Sequence, residues 1–215
     1  MTGEGRQSER DAIVRAAYRL IGRDASSTTS IENILRSARV NRRTFYRHFA
    51  SKDDLIIAMQ DWAGELILSG VRQAVGTAAS PPAAVAAWID EYLSIGWDEA
   101  RFRDALAFLS SEVTGAPGIA AALEATYDRH REPLTEALAA GLADGSLPGA
   151  RPELDAFAIH AVAVRHVEAR IRGHLDKDFG DVRNAVVGLV LTGLAAPAHH
   201  RKSGPAPASR SAPVT

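Results

Sequence analysis

The chain has 215 residues, 46% of them apolar and 24% charged, with 25 Lys and Arg against 26 Asp and Glu. That length and balance permit a substantial core, and they exclude a chain that is disordered throughout or that coats nucleic acid along its whole length. Cysteine is absent, which removes disulfide frameworks, thiolate metal sites and thiol nucleophiles.

The charge is unevenly divided. Residues 1–55 hold eleven Lys and Arg against seven Asp and Glu, whereas residues 56–215 hold fourteen against nineteen, so the polyanion-facing part is expected in the first third. Met1 to Asp11 lack the apolar core of a signal peptide, and no apolar run approaches the roughly 20 residues of a membrane helix. A cytoplasmic protein with no membrane partner is expected.

Apolar residues recur at helical spacing almost everywhere, which predicts an all-α fold. Residues 1–8 read as a disordered arm. Ser8 with Asp11 predicts a capping-box start to a first helix, whose stripe is Ile13, Ala16, Ala17, Leu20 and Ile21, ending near Gly22. The polar segment Asp24 to Thr29 reads as a loop. Ser30 is the expected N-cap of a short second helix burying Ile31, Ile34, Leu35 and Ala38. A tight turn from Ala38 to Asn41 follows, and Asn41 caps a third short helix through His48.

Phe45 and Phe49 stand four apart and should point inward. Arg42 with Tyr46, and Arg43 with Arg47, then face away from the core. Ser51 with Asp54 is a second capping box opening a long fourth helix, with Leu55, Ile56, Met59, Trp62, Ala63, Leu66, Ile67 and Val71 on its apolar positions.

Past Gly76 to Ser80, Pro81 and Pro82 suit the first turn of a fifth helix carrying Val85, Trp88, Ile89, Tyr92 and Leu93. A helix over Asp98 to Val113, with Phe102, Leu106, Phe108 and Leu109, and another over Pro117 to Ala143, with Leu123, Tyr127, Leu134 and Leu138, come next. Asp144 to Pro152 is a Gly- and Pro-rich connector. The last two helices, Glu153 to Leu175 and Asp178 to Leu194, are apolar on nearly every side, and such a helix must be covered on every side. The economical cover is a second copy of the chain, so a symmetric dimer through a four-helix bundle is expected, with Ala158, Val162, Arg165, Val186, Val187 and Val190 at the interface. A single large monomer core is the alternative. Residues 196–215 read as a disordered tail.

Arg36 to Lys52 carries six basic side chains and no acidic one. In a nearly neutral chain, such a local excess fits docking against phosphate, and the outward face of the third helix fits a major groove. A merely solvated basic face is the alternative on charge alone. The order of features is more specific: helix, loop, short helix, tight turn, short helix ending T-F-Y-R-H-F, then S-K-D-D-L opening a long helix. Over Glu9 to Leu55 the chain resembles the TetR family of bacterial transcriptional regulators, with Ser30, Ile34, Ala38, Val40, Asn41, Thr44, Tyr46, Phe49, Lys52 and Leu55 at that family's pattern positions.

The resemblance implies a helix-turn-helix DNA-binding domain at 9–55 and a helical effector-binding and dimerising domain at 56–195. It also implies a homodimer on a palindromic operator, most often as a repressor, released by a small apolar effector. By that analogy Thr44, Tyr46 and Lys52 contact phosphate, as does Ser30; Arg42 and Arg43 reach base edges; Asn41, Arg47 and His48 complete the DNA-facing set. Two positions depart from the pattern. Arg39 stands where the family usually has glycine, in a turn that often needs a left-handed backbone, and Arg43 replaces a commonly small residue.

The aromatic set Trp62, Trp88, Tyr92, Trp97, Phe102, Phe108, Tyr127 and Phe157 is the candidate lining of an effector pocket, with plain core packing as the alternative at each position. An enzyme, or a helical small-molecule-binding protein that merely carries a basic bundle, is the competing reading. His160 and His166, six apart, lie about 120 degrees apart around a helix and do not converge as metal ligands. Asp178-Phe179-Gly180 mimics a kinase triplet without the loops such a site requires, so Asp178 reads as a helix cap. His199 and His200 fall in the tail. No cofactor or metal is implied.

Overall fold

The computed structural model describes residues 3–23, 29–106, 108 and 110–196, all in helices and short connections without a strand. The expected loop at 24–28, Leu109 and the tail from 197, with His199 and His200, lie outside the described residues. The helices are α1 (Gly3–Arg23), α2 (Ile31–Ala38), α3 (Arg42–His48), α4 (Lys52–Gly76), α5 (Pro81–Ser94), α6 (Glu99–Leu106), α7 (Ser111–Thr114), α8 (Ile119–Ala143), α9 (Pro152–Ile171) and α10 (Phe179–Ala195).

The short helices begin where side-chain oxygens can satisfy orphan amides. Ser30 Oγ accepts from the Asn33 amide at 3.2 Å, and Asn41 Oδ1 from the Thr44 amide at 2.8 Å. Ser51 and Asp54 form the full reciprocal box.

Four expected boundaries are corrected. Residues 3–8, expected as a disordered arm, are the start of α1, supported by a Gln7–Asp11 hydrogen bond one turn apart at 2.8 Å. The single helix expected over Asp98 to Val113 is broken, because Ser110 Oγ accepts from the Val113 amide at 3.3 Å and starts α7. Pro117 precedes α8 rather than opening it, since Gly118 takes a left-handed φ of 84°. Gly173, with φ 71°, ends α9 at Ile171, short of the expected Leu175. Asp178 sits at the N-cap of α10, but its side chain makes no capping bond.

Two cores share one helix. The first joins Ile13, Ala17, Ile21, Ile34, Phe45, Phe49, Leu55, Ile56 and Met59, and takes in Val113 and Ala116 from the α7 region. The second joins Val71 of α4 with Val85, Trp88, Ile89, Leu134, Leu138, Ile159, Ala163, Val182 and Val186. Leu66, expected to face inward, is exposed on α4.

Arg39 adopts φ 56° and ψ 41°, the left-handed geometry that the turn demands, and its amide donates to the Arg36 and Leu35 carbonyls. It is the one described non-glycine residue with positive φ. Because its side chain is exposed and gives nothing back in packing, Arg39→Gly should stabilise the fold by about 1 kcal/mol. Urea unfolding of the two proteins checks this, and an unchanged or lower midpoint would mean that the turn carries no strain.

Candidate functional site

The α3 surface is built by two rings. Phe45 and Phe49 are buried, with centroids 5.6 Å apart, and pin the helix onto the first core. The remaining turns are forced outward, so Arg42, Arg43, Tyr46 and Arg47 are exposed, Thr44 and His48 half-buried. Tyr46 stands edge-on against Phe45, at 5.3 Å.

The cations on this face differ in their freedom. Arg42 pairs with Glu32 of α2, and Arg47 with Glu9 of α1, whose same oxygen lies 3.2 Å from His48 Nε2. Glu9 is held below the usual carboxylate range chiefly by the His48 hydrogen bond, with Arg47 adding to it; Glu32 is lowered first by a backbone hydrogen bond, then by Arg42. Exposed pairs of this kind are weak, so a phosphate can replace either carboxylate. Arg43 makes no ion pair or hydrogen bond to any described residue.

Lys52 is placed differently from the expected outward phosphate anchor. Its ammonium turns to the Thr29 carbonyl and to Glu112 of α7, and Glu112 Oε2 also accepts from the Thr29 amide at 3.1 Å. The Glu112 side chain is only 10% exposed. This clasp ties the start of α4 and the approach to α2 to a segment of the larger helical bundle.

A half-open cavity of about 360 Å³ lies between α4, α5, α6, α7, α8 and α9. Of the eight aromatics expected there, Tyr92, Phe108 and Tyr127 line it. The others do not. Trp62 packs against Tyr18 in the first core, centroids 5.1 Å apart. Trp88 is fully buried, stacked on Tyr92 and donating to the His130 carbonyl at 2.9 Å. Trp97 donates to the Lys177 carbonyl at 2.9 Å and packs on Phe179. Phe102 lies on α6 away from the lining, and Phe157 is exposed beside a separate hollow, under the Arg131 guanidinium.

Polar residues that periodicity does not single out also line it, among them Gln60, Thr126 and His130. Gly64 is required beside them, because a Cβ there would come within 2.5 Å of Thr126 Cγ2. Its carbonyl accepts from His130 Nε2 at 2.9 Å. That bond leaves His130 Nδ1 as an acceptor facing the Tyr92 hydroxyl, 3.5 Å away, while the same hydroxyl lies 3.1 Å from His160 Nε2. Burial lowers the pKa of His130, takes His160 down to about 3 and raises Tyr127 to about 12. All three are therefore neutral near pH 7. His166 instead bonds the Val162 carbonyl of its own helix at 2.8 Å.

On the outer face of α9 and α10, Leu154, Phe157 and Leu189 are 63%, 59% and 71% exposed. Ala158 and Arg165 share that face, with Val162 and Val190 half-buried. Val186 and Val187, expected at an interface, belong to the chain's own core, because the α10 stripe that faces α5 and α9 runs through them.

The lowered histidine pKa values fix a pH dependence. The folded state holds His130 and His160 neutral, whereas the unfolded chain protonates them near pH 6.5, so their stabilisation is complete above that value and declines as pH falls below it. Between pH 6.5 and 5.5, above the carboxylate range, unfolding free energy should drop, and His160→Gln should flatten the slope. Denaturant titrations along that series check it; equal slopes would contradict a neutral buried His160.

Residues 13–59 match the model of the bacterial regulatory proteins of the tetR family. No curated protein matches the chain in sequence. In fold it is similar to a TetR-family transcriptional regulator from a Rhodococcus species, at 15% identity and a TM-score of 0.71 over 87% of this chain and 99% of that one. It is likewise similar to the transcriptional regulator FadR from Bacillus subtilis in complex with stearoyl-CoA, at 17% identity and a TM-score of 0.69 over 85% and 97%. AibR, in complex with isovaleryl coenzyme A and operator DNA, is 18% identical with a TM-score of 0.60 over 84% and 97%.

Proposed function

We propose that the chain, whose residues 13–59 match that family, is a TetR-family regulator that binds a palindromic operator as a homodimer, acts as a repressor and is released by a small effector. The observation that carries this reading is the α3 face, held outward by Phe45 and Phe49 and presenting Arg43 without a partner among the described residues. Residues 9–55 serve as the reading domain, and 56–195 as the effector-binding and dimerising domain.

In this reading the Arg43 guanidinium, a fork that matches guanine O6 and N7, reads a base edge. Arg42 and Arg47 exchange their carboxylates for DNA, and Thr44, Tyr46 and the Ser30 region position the backbone. Asn41 contributes mainly by capping α3, because its side-chain oxygen is already taken. The exposed apolar residues Leu154, Phe157 and Leu189 support dimerisation through α9 and α10, with Ala158, Val162, Arg165 and Val190 beside them. Two reading helices spaced about one DNA turn, roughly 34–36 Å, or a multiple of it, then engage both half-sites together.

The Glu112 clasp supports the effector response. Val113 and Thr114, next to Glu112, line the cavity, so an occupant that displaces α7 acts on Lys52 and Thr29 directly. The coupling is reciprocal, since DNA that takes Lys52 away from Glu112 must also shift α7. The similar structures in complex with stearoyl-CoA or isovaleryl coenzyme A support a small-molecule effector.

Titrating the protein against matched and scrambled duplexes from its own upstream region tests the reading. Salt-sensitive binding selective for one palindrome is expected, and equal affinity for every duplex would overturn it. Arg43→Ala should weaken the matched site by about 1–3 kcal/mol and relax preference at one base pair; equal loss on both duplexes would remove the base-reading role. Glu112→Gln keeps an acceptor for the Thr29 amide but removes the charge holding Lys52. Binding to both duplexes should then tighten, with a log–log salt slope steeper by about one; weaker binding would mean that the clasp serves DNA docking instead.

A further inference from the structure

The cavity's lining holds a polar side chain that no described neighbour engages. Gln60 on α4 is 8% exposed and lines the cavity, yet its carboxamide has no hydrogen-bond partner among the described residues. Its amide atoms are not among the fully buried unpaired ones, so the carboxamide tip meets the accessible space of the cavity, where a ligand or water can pair with it. Thr126 does not supply the partner, because its hydroxyl donates to the Ala122 carbonyl at 3.0 Å and accepts from Arg129 Nη2 at 3.1 Å. His130 is engaged by the Gly64 carbonyl.

The charged lining side chains among the described residues are Glu168 and Arg172, which are opposite in sign, and Arg172 is exposed. The buried part of the lining therefore holds nothing that would neutralise an anion. Tyr127, which also lines the cavity, is kept protonated and uncharged by burial, and His130 is kept neutral. A carboxylate drawn in beside Gln60 would lose its hydration without gaining a counter-charge.

Resting on the regulator reading, we propose that the effector is a neutral, mainly apolar molecule bearing one carboxamide or lactam group, which pairs with the Gln60 side chain. A carboxamide matches Gln60 on both sides, donor to acceptor and acceptor to donor, whereas a ketone or an ether satisfies half of it. The volume of about 360 Å³ holds on the order of a dozen non-hydrogen atoms, at roughly 30 Å³ for each water-sized group.

The test is calorimetric titration of the full chain, without DNA, with phenylbutanamide, its isosteric acid phenylbutanoate, and isovaleryl-CoA. Phenylbutanamide should bind saturably and at least tenfold more tightly than phenylbutanoate. In Gln60→Leu that preference should fall below about threefold, with the melting temperature of the ligand-free protein showing that the variant is folded. The wild-type comparison stands even if the variant misfolds. Equal or tighter binding of phenylbutanoate or isovaleryl-CoA, no saturable binding of the amide, or a preference that survives in Gln60→Leu would each overturn the proposal. Because no DNA is present, a failure here is separate from any failure of operator selectivity.

Discussion

One helix belongs to two cores, and the rest of the structure depends on it. α4 buries Leu55, Ile56 and Met59 in the first core and Val71 in the second, so the basic face of α3 cannot move independently of the bundle. Apolar burial of this kind is close-packed and resists gradual deformation. A change at Gln60 or Gly64, midway along α4, must therefore be taken up by a shift of the whole helix or of what packs on it. The first core also takes Val113 and Ala116 from beyond α4, which makes the α7 region a second link between the halves.

The electrostatics follow the same division. On the α3 side, Glu9 and Glu32 form exposed pairs that water screens, and such pairs are cheap to exchange for phosphate. At the junction, Glu112 is largely shielded, and its pairing with Lys52 holds the start of α4 against α7. Within the bundle, charge is avoided: the chain from the Gly64 carbonyl through His130 and Tyr92 to His160 joins α4, α8, α5 and α9 by neutral hydrogen-bonding groups. Weak pairs at the edge, one shielded pair at the junction and neutral groups inside give a surface that can rearrange over an interior that holds its shape.

Much of this was legible in the residues. The caps at Ser30, Asn41 and Ser51 were readable because a side-chain oxygen three residues before an amide is a local geometry, and the inward Phe45 and Phe49 followed from helical spacing alone. The left-handed need at Arg39 was visible only through the family resemblance, which places glycine at that turn position. Other features depend on partners distant in sequence. Lys52 meets Glu112 sixty residues later, so a lysine at a helix start gave no sign of being engaged. The tryptophans looked like cavity residues, but the space they fill is set by Tyr18, His130 and Lys177, on other helices or loops. Val186 and Val187 could not be told from interface residues while α10 was apolar on all sides. Tyr92, Phe108 and Tyr127 were the part of the aromatic set that did mark the cavity, while Gln60 went unnoticed among the apolar positions of α4.

The central claim is that two copies hold their reading helices at a separation which DNA fixes. It is tested most directly by the distance between spin labels, one per protomer, on Arg19→Cys, an exposed α1 position in a chain that has no native cysteine. Pulsed dipolar measurement of the full chain should give an inter-protomer distance that narrows and shifts when its selected operator is added, and that does not respond to scrambled DNA. Absence of dipolar coupling, or one unchanged distribution in all three conditions, would contradict the account.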